Sequence, residues 1–225
     1  MRVAILLNGL ARKVEEGYLN YYKYIIDNYD TDVYLHFWED PKHSEYEKVL
    51  KIYKNPKRYI CEKPFSFAEY CVGIEVPPGY DSSSRPMSEY GIKGCFTSLP
   101  IFHGIQKVFS LVGEEYDCIV RGRYDIGGWP LIIPSLDLSK INVASVHWPG
   151  SEIPDDNLIV TDHTVAFNLY GNIFNEHLDI IRNEKQIYFS ELNFLKIIQK
   201  KNLETLITKT PSINFSLLRE FKVWH

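Results

Sequence analysis

The fold is decided near the amino terminus by the stretch RVAILLNGLAR, residues Arg2–Arg12. Residues 2–7 form a short apolar run that ends at Asn8-Gly9, a pattern typical of a buried strand followed by a tight loop. Tyrosines and isoleucines then recur at helical spacing over residues 18–29, and DVYLHFW at residues 32–38 indicates a second strand. A strand, a helix and a strand in this order predict a parallel βαβ unit with a right-handed crossover.

The rest of the chain continues this alternation. Apolar runs predict strands at residues 58–61, 118–120, 141–148 and 158–160, with short strand-like pieces between 203 and 224. Helical spacing predicts helices that Ser98 and Ser190 cap, and one helix over residues 167–181. No repeat or linker divides the chain, so we expect a single Rossmann-like α/β domain over residues 1–225, with a mostly parallel central sheet flanked by helices.

One segment lacks any periodic pattern. Residues 73–94 carry three prolines, four glycines and the consecutive serines Ser82–Ser84. A loop of this length inside a compact domain is usually functional or flexible. A lid over the substrate and a plain flexible segment are both open interpretations.

Composition excludes several classes of protein. The net charge is −4 and the pI is about 6.0, whereas a general binder of nucleic acid or acidic membranes needs a basic surface. The four cysteines form no C-x-x-C pair, which favours reduced thiols and offers no zinc-site spacing. No apolar run is long enough for a signal peptide or a membrane-spanning helix. We expect a soluble, cytoplasmic protein with no nucleic-acid partner and no integral membrane segment.

The predicted strand at residues 118–120 ends in a group of charges. In EYDCIVRGRYDIGG, residues 115–128, Arg121, Arg123 and Asp125 alternate, so an extended chain places them on one face. Charged groups at the end of an apolar strand are costly to bury unless they are paired or used. Two interpretations are open: the arginines neutralise a diphosphate whose bridging divalent cation Asp125 holds, or arginine and aspartate form a structural pair.

Two other segments are candidates, because open α/β sheets bind ligands at the carboxyl ends of their strands. Asn8, Gly9 and Arg12 follow the first strand, where glycine permits a close approach and arginine can reach a phosphate or a base. The adjacent Asp155 and Asp156 lie between two predicted strands. They can supply a metal ligand or a general base, or simply form a solvated turn.

Several familiar motifs are misplaced or absent. The D-x-D at Asp30–Asp32 precedes the second strand, so it falls at the wrong edge of a parallel sheet and we predict only a turn there. His36 lies within a strand and indicates packing, whereas His147 and His163 are modest site candidates. The chain has no P-loop, G-x-G-x-x-G, H-E-x-x-H or G-x-S-x-G motif, which argues against the enzyme classes that use them.

In their order along the chain, these features resemble a family of small glycosyltransferase-like proteins found in polysaccharide and lipopolysaccharide gene sets and in some large viruses and phages. In that family the first strand ends in G-x-x-R, as Gly9 and Arg12 do here. DVYLHFW matches its D-V-F-x-H-x-W strand, with Tyr34 at the aromatic position. YDCIVRGRYD at residues 116–125 matches its Y-D-x-V-I-R-x-R-x-D strand, and the resemblance extends over residues 1 to about 200.

The resemblance implies a GT-A fold and a nucleotide-sugar donor, UDP- or GDP-linked. It implies that Asn8, Gly9 and Arg12 contact the nucleotide, and that the stretch from Arg121 to Asp125 replaces the metal-binding D-x-D of other sugar transferases. Asp125 would then be the ligand of a Mn²⁺ or Mg²⁺ ion. Because an arginine replaces the first acid, the alternative is that Arg121 and Arg123 neutralise the diphosphate without a metal.

The resemblance also implies transfer of the sugar to a glycan or another hydroxyl acceptor. An inverting reaction needs a general base, for which Asp156 and Glu191, a glutamate at the start of a predicted helix, are the candidates. A retaining reaction needs no dedicated base, and both outcomes are open. If the protein is encoded by a virus, the expected compartment is the host-cell cytoplasm.

Two other functions compete with this interpretation. A sugar-phosphate nucleotidyltransferase also uses a Rossmann-like sheet, but its glycine-rich, basic signature after the first strand is thin in NGLARKVEEG at residues 8–17. A non-catalytic interaction module with the same fold could use the 16 tyrosines of the chain at a partner surface.

Overall fold

The protein has a mixed β-sheet with helices on both faces. The computed structural model describes residues 1–74, 98–127, 131–144, 154, 156–185, 190–210 and 216–217. The strands are β1 (Arg2–Gly9), β2 (Asp30–Trp38), β3 (Arg58–Glu62), β4 (Cys118–Gly122), β5 (Ile126–Gly127), β6 (Ile141–Ala144), β7 (Ile159–Thr161), β8 (Ile207–Thr210) and β9 (Ser216–Leu217). The α-helices are α1 (Val14–Tyr21), α2 (Tyr46–Ile52), α3 (Ser98–Phe109), α4 (His163–Tyr170), α5 (Ile173–Glu184) and α6 (Ser190–Lys200). Nearly all of the loop predicted over residues 73–94, together with His147 and Asp155, lies outside the described residues.

Seven of these strands form one sheet in the order β3-β2-β1-β4-β7-β6-β8. Strands β3, β2, β1 and β4 are parallel to one another, and β6 is parallel to β8. Only β7 runs antiparallel to both of its neighbours within this sheet. The predicted βαβ unit is present, since β1 pairs with β2 in parallel along its whole length. The predicted α/β fold with a mostly parallel central sheet is therefore confirmed.

The central strand β1 is buried on both of its faces. Val3, Ile5 and Leu7 point to one side, where they pack in a cluster with residues of α1 and α2. Ala4 and Leu6 point to the other side, where they pack with α3 and with α4 to α6. All five side chains are fully buried. An unbroken apolar run is what a parallel strand covered by helices on both faces requires.

The prediction of one helix over residues 167–181 is wrong, because the chain breaks at Gly171-Asn172 into α4 and α5. Asn172 leaves the helical conformation with a φ of −136°, and glycine is a poor helix former. As a result Phe167 is 65% exposed, although its spacing places it on the buried face of a continuous helix. After the break, α5 packs against α3, where the ring of His177 lies 4.4 Å from that of Phe102.

Four predicted element ends are also corrected. The tyrosine-rich helix is α-helical only to Tyr21 and continues as a π-helical turn over Tyr22–Ile26. The residues Asp30–Asp32 begin β2 instead of forming a turn, because their backbone already pairs with the start of β1. Ser98 and Ser190, predicted as caps, are themselves helical residues of α3 and α6.

The described residues also bear on the cysteines and on membrane segments. Cys61, Cys71 and Cys118 are free thiols, and Cys95 lies outside the described residues. Within the described ranges, no helix is long and apolar enough to cross a bilayer. The cytoplasmic location stays a prediction.

Candidate active site

Polar side chains from distant parts of the sequence meet at the edge of the sheet where β1 and β4 end. Because β7 is antiparallel to β4, the residues before β7 lie at the same edge as the residues after β4, and Arg121 pairs with Ile159 in the register. Asp156 and Asn157 therefore reach the charged stretch that follows β4. The antiparallel direction of β7 therefore brings the segment at Asp156 next to the segment from Arg121 to Asp125, which the sequence alone did not predict.

Arg121 is a buried cation at this edge. Its side chain is only 2% exposed, and its Nε donates a 3.0 Å hydrogen bond to Oδ1 of Asn8 at the end of β1. Asn8 is held in turn, since its Nδ2 donates to the carbonyl oxygen of Ile101 on α3 at 3.4 Å. Burial lowers the pKa of Arg121, while the charge of Asp156 acts in the opposite direction. Among the described residues, Nη1 of Arg121 has no hydrogen-bond partner.

Arg123 and Asp125 form a two-pronged ion pair. Nε and Nη2 of Arg123 donate to the two carboxylate oxygens of Asp125 at 2.7 and 2.9 Å. Nη1 of Arg123 also donates to Oδ1 of Asn157 at 3.3 Å. Asp125 is 1% exposed, whereas 23% of the Arg123 side chain is exposed. The structural pair that the sequence left open is present, and it directs a partly accessible guanidinium toward the edge of the sheet.

The residues around Asp125 do not suit a divalent cation. A divalent cation needs carboxylate oxygens turned toward it. Both oxygens of Asp125 already accept hydrogen bonds from a guanidinium. Arg121 and Arg12 add further positive charge nearby, which repels a second cation. Among the described residues, this arrangement favours the alternative in which arginines, and not a metal, meet a diphosphate.

The end of β1 supplies the remaining predicted ligand-binding residues. Gly9 has a φ of 107°, a conformation that favours glycine, and no described atom lies within 4 Å of the place where a Cβ would stand. Arg12 is exposed, and its Nε donates to the carbonyl oxygen of His43 at 3.1 Å. Although the residue as a whole is exposed, partial desolvation of its guanidinium and then repulsion by Arg123 lower the pKa of Arg12, so the two guanidiniums are close enough to interact.

Two tyrosines and a glycine hold the charged stretch against the sheet. The hydroxyl of Tyr21 on α1 donates to the carbonyl oxygen of Arg123 at 2.9 Å. The hydroxyl of Tyr124 is fully buried and donates to the carbonyl oxygen of His36 at 3.1 Å. Gly17 lets α1 approach so closely that a Cβ there would collide with the carbonyl oxygen of Tyr124. The backbone that carries Arg123 and Asp125 is therefore held by contacts with α1 and with β2.

The two predicted catalytic acids lie in different surroundings. Asp156 is 4% exposed, and its charge acts to raise the pKa of Arg121. Glu191 lies in the first turn of α6, where it accepts a 3.0 Å hydrogen bond from the hydroxyl of Ser190. No hydrogen bond or ion pair recorded for the described residues joins Glu191 to the arginine cluster. The structure brings Asp156 to the predicted site and leaves Glu191 on its own helix.

A histidine cluster escaped the sequence interpretation. His36 is fully buried, but its Nε2 contacts Oε2 of Glu62 at 2.8 Å, and Nε2 of His103 contacts the same oxygen at 3.0 Å. The hydrogen bond from His36 and that from His103 lower the pKa of Glu62 to about 2. The side-chain alternation of β2 and β3 could have paired His36 with Glu62, but nothing local in the sequence points His103 toward them.

Two rejected or minor candidates lie elsewhere. Asp30 and Asp32 lie at the amino end of β2, away from the arginine cluster, and Arg2 and Lys57 pair with their carboxylates. His163 opens α4 just after β7, at the edge of the sheet opposite the end of β4, and its ring lies 6.4 Å from that of Phe109, the last residue of α3.

Comparisons with known proteins give only distant likenesses. No protein-family model matches the chain, and no curated protein matches it. Among solved structures, an active-site mutant of LgtC is 10% identical with a TM-score of 0.46, over 93% of this chain and 72% of that one. The glycosyltransferase GlyE of Streptococcus pneumoniae TIGR4 is 12% identical with a TM-score of 0.47, and mouse xyloside xylosyltransferase 1 is 11% identical with a TM-score of 0.40. The match covers 93% of this chain in both cases, but only 44% of GlyE and 84% of the mouse enzyme. The function has to be inferred from the residues of this chain itself.

Proposed function

We propose that this protein is a GT-A-type glycosyltransferase that moves a sugar from a UDP- or GDP-linked donor to a glycan or another hydroxyl acceptor. The observation that carries the proposal is the buried guanidinium of Arg121 at the end of a central strand. Among the described residues its Nη1 has no hydrogen-bond partner, which is costly for a buried cation, and a ligand site is one place where such a cost is accepted. The sequence resemblance described above supports the same function.

The reaction explains why positive charge is needed at this place. The departing nucleoside diphosphate gains negative charge as the bond to the sugar breaks, and fixed cations that face this charge lower the barrier. Arginine is suited to this task because its planar fork can donate two hydrogen bonds to one phosphate. Arg121, Arg123 and Arg12 supply three guanidiniums, and Asp125 orients one of them.

The end of β1 would receive the nucleotide part of the donor. Gly9 leaves its neighbourhood open, and the side chain of Asn8 is already fixed by Arg121 and Ile101. A rigid amide beside an open glycine suits a ligand that approaches the backbone closely. We assign the nucleotide to Asn8 and Gly9, and the diphosphate to the guanidiniums.

Asp156 is the better placed of the two predicted bases. Its charge acts on the pKa of Arg121, so we infer that Asp156 lies at the edge of the sheet that binds the donor, where it would accept the proton of a bound acceptor hydroxyl. Glu191 could act as the base only if the acceptor hydroxyl bound next to the first turn of α6. We propose Asp156 as the base of an inverting reaction and keep Glu191 as the alternative.

A thermal-shift screen tests the proposal. A ligand that binds only the folded state raises the melting temperature, so UDP, GDP and their sugar conjugates are screened with the full chain, with Mn²⁺ and with chelator. We expect one nucleoside diphosphate to raise the melting temperature equally in both conditions. Arg123→Ala should abolish the shift, whereas Arg182→Ala, an exposed arginine on α5, should leave it unchanged.

The other outcomes point to the competing functions. A shift that requires Mn²⁺ and disappears in Asp125→Ala would return Asp125 to the role of metal ligand. A shift with a nucleoside triphosphate together with a sugar 1-phosphate would favour a nucleotidyltransferase. No shift with any nucleotide would contradict the proposal and favour a non-catalytic interaction module.

A further inference from the structure

Three side chains outside the arginine cluster converge on one point beside the sheet. Nε2 of His36 and Nε2 of His103 lie 2.8 and 3.0 Å from the same carboxylate oxygen of Glu62. One coordinating atom from each residue lies within 4.8 Å of the other two. The three residues come from β2, β3 and α3, so this point ties two strands to the helix that covers them.

The backbone geometry makes this convergence specific. Trp38 and Glu62 are partners in the register of β2 and β3, and His36 lies two residues before Trp38, so all three share one face. On the facing helix, a Cβ at Gly104 would lie only 3.0 Å from Nδ1 of His36. The glycine therefore lets α3 pack directly against the His36 ring, beside His103.

We propose that His36, Glu62 and His103 bind one divalent transition-metal ion of the zinc class. Two imidazole nitrogens and one carboxylate oxygen suit Zn²⁺ and its first-row neighbours, whereas Mg²⁺ and Ca²⁺ prefer oxygen ligands alone. Zinc lies about 2.0 to 2.2 Å from such ligands, so a tetrahedral site needs the nitrogen–oxygen distances of 2.8 and 3.0 Å to widen to about 3.4 Å. Three protein ligands leave a fourth position for water or another group. This site uses none of the residues assigned to the diphosphate, so it does not depend on the proposed transfer reaction.

Two nearby features limit the affinity. Nζ of Lys107 lies 3.6 Å from the other oxygen of Glu62 and competes with a cation for the carboxylate. Binding through Nε2 places the ring proton of His36 on Nδ1, which is buried with no hydrogen-bond partner among the described residues. An unsatisfied buried donor of this kind weakens binding about 10- to 100-fold. We therefore expect a dissociation constant on the order of a micromolar, weaker than that of a closed structural zinc site.

The test uses the full chain, freed of metal by dialysis against a chelator and then titrated with Zn²⁺ by calorimetry and with Co²⁺ by visible absorption. We expect one ion per chain. Glu62→Gln keeps the shape of the side chain, and His103→Phe keeps a ring against Trp38; each should weaken binding by about 100-fold or more, since each removes a ligand. His163→Phe, the same substitution at a histidine beside Phe109, should leave the affinity unchanged.

A fourth variant guards against loss of folding in the ligand variants. Lys107 is 43% exposed on α3, and removing a competing surface charge should tighten Zn²⁺ binding in Lys107→Gln by up to about fivefold. The proposal is overturned if the wild-type chain binds no stoichiometric Zn²⁺, or if Lys107→Gln weakens binding. It is also overturned if His163→Phe loses the ion as readily as His103→Phe does.

Discussion

Arg121 shows how a single residue can combine a structural and a functional role. Its Nε donates to Asn8, the charge of Asp156 offsets part of the effect of burial on its pKa, and its Nη1 has no hydrogen-bond partner among the described residues. A guanidinium fixed in this way loses little rotamer freedom when a phosphate binds, so the entropic cost of binding is small. The sequence predicted the cation at this strand end, but not the amide that orients it.

The buried side chain of His177 predicts how the stability of the protein depends on pH. Its side chain is fully buried against Phe102, and burial lowers its pKa to about 3. The folded state therefore keeps the imidazole neutral, while the unfolded chain takes up a proton below about pH 6.5, so stability falls as the pH drops from 6.5 toward 3. The loss attributable to this residue is about 1.4 kcal/mol for each pH unit.

The measurement compares wild type with His177→Leu by urea unfolding between pH 7 and pH 4. The leucine variant loses the weak 3.5 Å contact with Ser98 at every pH, but it does not titrate. We expect the free-energy difference between the two proteins to change steadily in favour of the variant as the pH falls. A difference that stays constant with pH would show that His177 is protonated to the same extent in both states.

At the scale of elements, the contact between α1 and the stretch after β4 is the tightest constraint near the site. Gly17 permits this contact, because any larger side chain would collide with the backbone of Tyr124 and push α1 away. Tyr21, one helical turn further on, would then lose its hydrogen bond to the carbonyl oxygen of Arg123. The position of Arg123 therefore depends on Gly17, which is not one of the residues assigned to the nucleotide or the diphosphate.

We expect Gly17→Ala to lower the free energy of unfolding by about 3 kcal/mol, toward the upper end of the cost of overpacking, and to weaken nucleotide binding in the protein that remains folded. The control is Gly113→Ala, where the nearest atom to an added Cβ is Nη1 of Arg58 at an ordinary 3.6 Å. Denaturant unfolding of both variants measures the difference. Equal stability of the two variants would mean that α1 can move without cost.

The elements also show how far the sequence could be interpreted. The apolar runs at residues 2–7 and 118–120 predicted β1 and β4, since burial is a local property. The expectation that the strand continues through the alternating Arg121, Arg123 and Asp125 was wrong, because β4 ends at Gly122 and Tyr124-Asp125 form a turn. The break at Gly171-Asn172 was missed because residues on either side of it keep the spacing of one helix. The contact of His103 with Glu62 was missed because it depends on how α3 packs across the sheet, which no local pattern specifies.

At the scale of the whole molecule, the order of the strands determines which residues can act together. The carboxyl ends of β1 and β4 lie side by side, and the reversed β7 adds Asp156 and Asn157 to the same edge. The sequence predicted the parallel part of this sheet from strand–helix–strand order, but the direction of β7 follows only from its pairing. The three guanidiniums at this edge give the chain, despite its net charge of −4, a local concentration of positive charge, which is the basis of the proposed diphosphate site.

The most direct test of this arginine site is a calorimetric titration of the full chain with UDP and with GDP in an excess of chelator. We expect one of the two to bind without metal, and Arg12→Gln, an exposed residue, to weaken that binding about 10-fold or more, the usual effect of losing a charged hydrogen bond. The control variant Arg182→Gln, also exposed, should bind as the wild type does. Binding that appears only when Mn²⁺ is restored, or that Arg12→Gln leaves unchanged, would contradict the assignment of the diphosphate to the arginines.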